Sequence, residues 1–336
     1  MKDLQQFFVP DKLASLRLDL FLSEQLEGFS RTQIQSLIKR GKVFVNQKEV
    51  RKVAFLISPG DCVDIELPTT ENETKLTHEN ITLDIIYEDK DVVVVNKPAG
   101  LVVHPAPGHT SDTLVNALLY HCKDFVISGN PIRPGIVHRL DKNTSGVLVV
   151  AKNPGSYQHL NEQVKERAFS RRYFALVKGI PQSPQGTIEA GIGRSLLNPK
   201  RMSVTGVNAR EAITHFYLLE SFSCFSLLEL KLNTGRTHQI RVHLRFIGHP
   251  IVGDPIYGFT DYDLLNLPAP VVNALNKLPG QALHAGSLGF THPRTEQFLE
   301  FTAPLPNYFQ NILNELRKYF SDTKSTIYPT KFGKSR

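Results

Sequence analysis

Apolar residues recur along this chain in two periods. From residue 15 the period is helical: Leu18, Phe21, Leu22 and Leu26 share one face, and Ile34, Leu37 and Ile38 share another. Ser15 is the expected cap of the first helix and Gly28 its stop. Ser30 with Gln33 three residues later gives a capping-box pattern for the second, which Gly41 ends after Lys39 and Arg40. The period then shortens to two. Val43-Phe44-Val45, the Asn46-Gln47 turn, and Val50 and Val53 predict short strands, and Val63, Ile65 and Leu67 alternate after the turn Pro59-Gly60-Asp61. Residues 68–80, PTTENETKLTHEN, carry neither period and predict a linker.

A second set of elements follows. Residues 81–87 and 91–96 read as strands around Glu88-Asp89-Lys90, and Lys97-Pro98-Ala99-Gly100 has Pro and Gly placed for a tight reversal. A helix is expected over Thr113–His121 with Leu114, Ala117 and Leu118 inward. Val147 to Ala151 is a continuous apolar run of strand length, and 308–320 is an amphipathic helix. The expected organisation is an extension over 1–14, a small module over 15–67, the linker 68–80, a large domain over 81–320, and a basic tail over 321–336.

Charge changes this picture more than composition does. The 336 residues are 41% hydrophobic and 21% charged, ordinary for a soluble globular protein, and the net charge is +7. The positive charge of the small module gathers in one helix and the turn after it: Arg31, Lys39, Arg40, Lys42, Lys48, Arg51 and Lys52. Such a stripe suits a phosphate backbone, although a solvated helix face has the same look. Three scattered cysteines argue against a disulfide framework and a zinc site. No apolar run approaches membrane-span length and the first residues lack a signal-peptide core, so a cytoplasmic protein is expected.

Candidate chemistry gathers at residues 138–146, HRLDKNTSG, where one acid sits among His138, Arg139, Lys142, Asn143, Thr144 and Ser145. Neighbouring cations and hydroxyls favour the ionised form of a carboxylate, as a base or nucleophile requires. A polar turn in which Asp141 and Asn143 satisfy backbone amides explains the same residues. His104 and His109 lie in a Pro-rich loop without the companions of a metal site, and no metal is expected.

Two resemblances decide between these readings. SRTQIQSLIKRGKVFVNQKEVRK, over 30–52, resembles the S-four RNA-binding module. RPGIVHRLDKNTSGVLVVAKN resembles the catalytic motif of the RluA-type pseudouridine synthases, with KPAGLVVHP before it and RRYFALVKG, GRTHQIRVHLRFIGHPIVGDPIYG and LHAGSLGFTHPRTEQFLEFTAPLP after it, in that family's order. With the S-four module in front, the resemblance points to the RluD-like branch, which acts on large-subunit ribosomal RNA.

The resemblance implies an α+β protein: a small αβ RNA-binding module, then a catalytic domain on a large, mainly antiparallel mixed sheet flanked by helices and loops. It implies isomerisation of uridine to pseudouridine without a cofactor, with no membrane partner, by a monomer acting on RNA or an assembling ribosomal subunit. Asp141 would be the catalytic carboxylate, Arg236 its cation with His238 and Arg241 beside it, and Tyr173 the active-site aromatic. Arg139 would enter the RNA helix where the base leaves, with His138 and Leu140 shaping the substrate turn. RNA contacts are expected at Arg31, Lys39, Arg40, Lys42, Arg51 and Lys52, and at Arg172, Arg194 and Arg201, the last two in an exposed loop. Gly286 departs from relatives that often carry a bulky residue there. The competing functions are an RNA-binding assembly factor with an inactive second domain, and a glycosidic-bond hydrolase using two carboxylates.

Overall fold

The computed structural model describes residues 3–10, 16–26, 29, 31–67, 76–105, 111–125, 133–198, 201–258 and 266–320. Ser15, Gly28, Ser30, His109, Lys200 and the tail 321–336 lie outside them. The chain divides into two units, Met1–Lys75 and Leu76–Arg336.

In the first unit, helices Leu18–Gln25 and Arg31–Lys39 pack on a four-stranded sheet through Phe21, Leu22, Ile34, Ile38, Val43 and Val63. Asn46 and Gln47 both take positive φ, the geometry of a tight two-residue turn between strands Val43–Val45 and Lys48–Glu49. Gly41, with φ of +70°, ends the second helix through paired backbone bonds: Gly41 N–H to Ile38 O, and Lys42 N–H to Leu37 O. The residues expected to form an extension supply strand Asp3–Phe8, paired antiparallel with Cys62–Leu67. The cap position of the first helix is Arg17, not Ser15. Its guanidinium reaches instead to Asp19, a buried carboxylate that also accepts from Arg31 and Gln35.

In the second unit nine of the described strands form one mixed sheet. It runs Gln185–Glu189, Ile213–Phe222, Phe225–Leu232, Ser170–Lys178, Leu283–Thr291, Ser145–Ala151, Val92–Lys97, Asp84–Glu88, with Phe298–Thr302 also paired to Leu283–Thr291. Every pairing is antiparallel except the short parallel one between His284–Ala285 and Ser145–Gly146. The strand Ser145–Ala151 is buried on both faces, which is why its sequence is an unbroken apolar run. Leu148 and Val150 pack with Leu114, Leu118, Phe309 and Ile312, while Val147 and Val149 pack on the other side with Leu160. Thr77 and Glu79, expected in the linker, hydrogen-bond to Asn116 and Asp112 of this unit.

Two local sequence choices have steric reasons. Gly146, with φ of +115°, lies so close to the Ala285 backbone that a Cβ would collide with it. Gly286 leaves room for the Phe174 ring at a register shift between the neighbouring strands, which accounts for the small residue there. The stretch expected to be an exposed loop around Arg194 and Arg201 is instead a three-stranded sheet: Ile192–Arg194, Met202–Ser203 and Val207–Arg210. Gly193 and Gly206 allow its backbones to approach closely, and at its tip Leu197 is 98% exposed.

Candidate active site

The loop carrying Asp141 is held from beneath. Lys97, fully buried at a strand end, donates from Nζ to the carbonyls of Pro98 (2.8 Å), Leu101 (2.9 Å) and Lys142 (3.0 Å). The Gly100 N–H also donates to the Lys142 carbonyl. Burial pulls the Lys97 amine down to about 7, with the Asp141 charge opposing the shift. Two donors that follow Asp141 in sequence bond elsewhere. Thr144 Oγ1 accepts from Gln281, and Ser145 Oγ contacts His284 Nδ1 and the Tyr308 hydroxyl. His138 Nε2 accepts from the Val149 N–H, and burial holds its imidazole down at about 3, hence neutral. His138 therefore braces the turn, and Leu140 is buried in the core beneath it.

The cation beside Asp141 is Arg241, 100 residues further along the chain, with Nη1 at 2.8 Å from Oδ2. This corrects the pairing expected for Arg236, whose Nε donates instead to the Glu211 carbonyl at 3.1 Å. The local fold explains the exchange. Gln239 Oε1 accepts from the Arg236 N–H and from Thr234 Oγ1, closing the loop just before helix Gln239–Phe246. His238 at its cap position takes a left-handed φ of +57°. The helix then carries Arg241 inward, where it is 4% exposed, while Arg236 stays in the preceding loop.

Arg241 is itself fixed by a second acid. Asp254 grips it at Nε (2.6 Å) and Nη2 (2.8 Å) and accepts the Ile256 and Tyr257 amides. Burial works against the charge of both partners, yet their pairing raises the Arg241 pKa and lowers that of Asp254. Only the remaining edge of the guanidinium faces Asp141. His238 Nε2 lies 3.9 Å from Asp141 Oδ1, and burial lowers its pKa.

These groups open onto a cavity of about 490 Å³. Asp141 is the one carboxylate among the described lining residues; Tyr173, Arg139, Arg171, Arg236 and Arg241 also line it. Tyr173 is 7% exposed, and burial raises its phenol pKa while Arg171 opposes the shift. Arg139 is exposed. Arg172, Arg194 and Arg201 are absent from this wall, and Arg172 bonds Glu300 and Ser287. Among the described residues Asp89, Asp91 and His292 bring three possible metal ligands together, but Arg294 already pairs with Asp91 there. Lys97 and Asp254 are site residues that the sequence alone does not single out, and Arg241, expected only as a neighbour of Arg236, is the residue that meets Asp141.

In the first unit the basic stripe divides. Arg31 pairs with Asp19, Lys42 with Glu66 and Arg51 with Glu49, whereas Lys39, Arg40 and Lys52 are exposed.

Residues 91–246 match the family model for RNA pseudouridylate synthase, and residues 16–63 match that of the S4 domain. An RNA pseudouridine synthase of Bacillus subtilis is 47% identical over 304 residues, covering 90% of this chain and 95% of that relative. The chain belongs to the RNA pseudouridine synthases. A Neisseria meningitidis relative named ribosomal large subunit pseudouridine synthase D is 43% identical, covering 92% of this chain and 81% of its own. Among solved structures, human RNA Pseudouridylate Synthase Domain Containing 1 matches 71% of this chain and 96% of its own with a TM-score of 0.53 and 26% identity. The α+β expectation holds: an S4 domain precedes a catalytic domain on a mainly antiparallel mixed sheet. The enzyme class is accordingly an RNA-modifying isomerase.

Proposed function

We propose that this synthase acts on uridines of large-subunit ribosomal RNA, in the cytoplasm and as a monomer, with Asp141 as its catalytic carboxylate. The observation that carries the assignment is the Asp141–Arg241 pair at the wall of a cavity that has no other described carboxylate. A uridine inside a duplex must leave the stack before its glycosidic bond is reachable. Arg139, two residues before Asp141, exposed and at the cavity wall, would occupy the gap it leaves.

Asp141 then acts on the sugar, either by attacking C1′ or by removing a 2′ proton. Both roles use a carboxylate with one oxygen held and one edge toward the cavity. Tyr173 supplies a wall on which the uracil ring can stack. Its raised pKa suits stacking better than proton removal at neutral pH. The hydrolase alternative needs a second working carboxylate, and buried Asp254 is committed to Arg241. Exposed Lys39, Arg40 and Lys52 are the part of the S4 surface that would meet phosphates.

The test maps pseudouridines in ribosomal RNA from cells lacking the protein, complemented with wild type or Asp141→Asn. We expect sites in large-subunit RNA that wild type restores and the variant does not. Restoration by the variant, or no site that depends on the protein, would refute the assignment.

A further inference from the structure

We propose that Arg171 is a further catalytic residue, whose guanidinium stabilises the negative charge on the uracil ring while that ring is detached from ribose. This rests on the reading of the cavity as the uridine site, and it concerns a group that Asp141, Arg241 and Tyr173 leave unexplained.

Arg171 lines the cavity. Its Nε is buried and has no hydrogen-bond partner among the described residues. Burial lowers its pKa, and no carboxylate pairs with it among the described residues. Its guanidinium carbon lies 5.2 Å from the centroid of the Phe169 ring, a contact that attracts a cation without neutralising it. A buried polar atom without a partner is costly to a fold, so the Nε of this half-buried guanidinium calls for an explanation. Arg241, in the same wall, shows the alternative that this chain uses for structural charge: two carboxylates on one guanidinium.

The surroundings of Arg171 point to the base and away from the RNA backbone. Two residues apart on strand Ser170–Lys178, Arg171 and Tyr173 project to the same side of the sheet. The cation therefore neighbours the aromatic on which uracil would stack. Arg133, Arg139 and Lys165 line the cavity too and are exposed, as phosphate contacts require. The Arg171 Nη1 also lies against Gly235, 2.9 Å from where a Cβ there would stand.

The chemistry needs such a cation at one moment. When the C1′–N1 bond breaks, its electron pair stays with uracil and spreads over N1, O2 and O4. Asp141 compensates the sugar, by bonding C1′ or by taking a 2′ proton that is later returned. The ring then turns, C5 gives an electron pair to C1′ as the Asp141–C1′ bond breaks or the 2′ proton returns, the C5 proton passes to water, and N1 takes a proton. The products balance as an isomer of the substrate. A donor set that meets charge only in the detached state lowers the barrier without tightening ground-state binding.

The experiment measures single-turnover pseudouridine formation at saturating RNA, together with RNA affinity, for wild type, Arg171→Lys, Arg171→Gln and Asp141→Asn. Removing the guanidinium is expected to slow Arg171→Gln by roughly 100-fold while the RNA Kd stays within about threefold. Arg171→Lys, which keeps a charge, should recover part of the rate, and thermal unfolding of the three Arg171 proteins reports on packing. The same comparison on RNA carrying 5-fluorouridine, read as glycosidic rearrangement, should show a smaller deficit, because that ring holds negative charge more readily. An unchanged saturating rate with a weakened Kd would assign Arg171 to a phosphate and overturn the proposal. An equal deficit on both substrates would overturn it as well. Activity in Asp141→Asn would instead defeat the reading of the site, independently of the Arg171 result.

Discussion

The basic helix of the first unit and the cavity of the second treat their arginines in opposite ways. In the first, charges that look available are committed within the fold: Arg17 and Arg31 both turn to buried Asp19, Lys42 to Glu66 and Arg51 to Glu49. In the second, a single arginine, Arg241, takes up two carboxylates, and other cations of the same wall face the cavity. Counting basic residues therefore overstates the RNA surface of the first unit. In the second it conceals which arginine pairs with Asp141. The charge a region can offer a ligand is what remains after its own acids are served.

The sharpest way to break this contrast is at Arg241. Arg241→Leu leaves Asp141 and Asp254 without their cation, and removal of one partner from a buried pair costs about 3–5 kcal/mol. We expect product formation to vanish and the thermal unfolding temperature of the second unit to drop. Arg236→Gln, the control, should retain most activity and normal unfolding; the reverse ranking would restore Arg236 as the working cation.

Lys97 is the next test. Lys97→Met leaves the Pro98 and Leu101 carbonyls without this donor and the Lys142 carbonyl with the Gly100 N–H alone, which should destabilise the unit by about 2–3 kcal/mol. Calorimetry reads the loss, and unchanged unfolding would show that the loop does not depend on this amine.

Asp19 gives a pH dependence. Burial pushes its pKa up, but bonds from Arg17, Gln35 and Arg31 outweigh this and bring it to about 2, against an ordinary 3.8. A carboxyl lowered on folding adds stability above its unfolded pKa and loses it as pH falls through the folded value. Between pH 4 and 2 the first unit should therefore lose about 2 kcal/mol, a loss that Asp19→Asn lacks. Amide exchange of the helix Arg31–Lys39 reports it, and parallel profiles for the two proteins would contradict it.

The smallest effect concerns RNA binding. Lys39→Ala and Arg40→Ala should each reduce the slope of log Kd against log salt by about one if each meets a phosphate. An unchanged slope would mark that helix as a solvated face.

Much of this was legible in the sequence where periodicity or sterics decides. The two helical faces, the Asn46-Gln47 turn, the double-buried strand after Gly146 and the inward face of the last helix follow from residue spacing alone. The Asp141 motif was legible as well, but its partner was not. Arg236 and Arg241 stand in one short block, and only the helix start after His238 decides which turns inward. Lys97 was hidden because KPAG reads as a turn, and a lysine gives no local sign that three carbonyls will enclose it. Asp254 was hidden for the same reason: its partner lies on another element. The sheet of Ile192–Arg194, Met202–Ser203 and Val207–Arg210 escaped notice because its strands are short and rely on Gly193 meeting Gly206.

The most direct measurement is pseudouridine formation by purified Asp141→Asn at saturating large-subunit RNA, followed over many wild-type turnover times. We expect RNA binding close to wild type and no product. Product at the wild-type rate would contradict the assignment of Asp141 and of the cavity built around it.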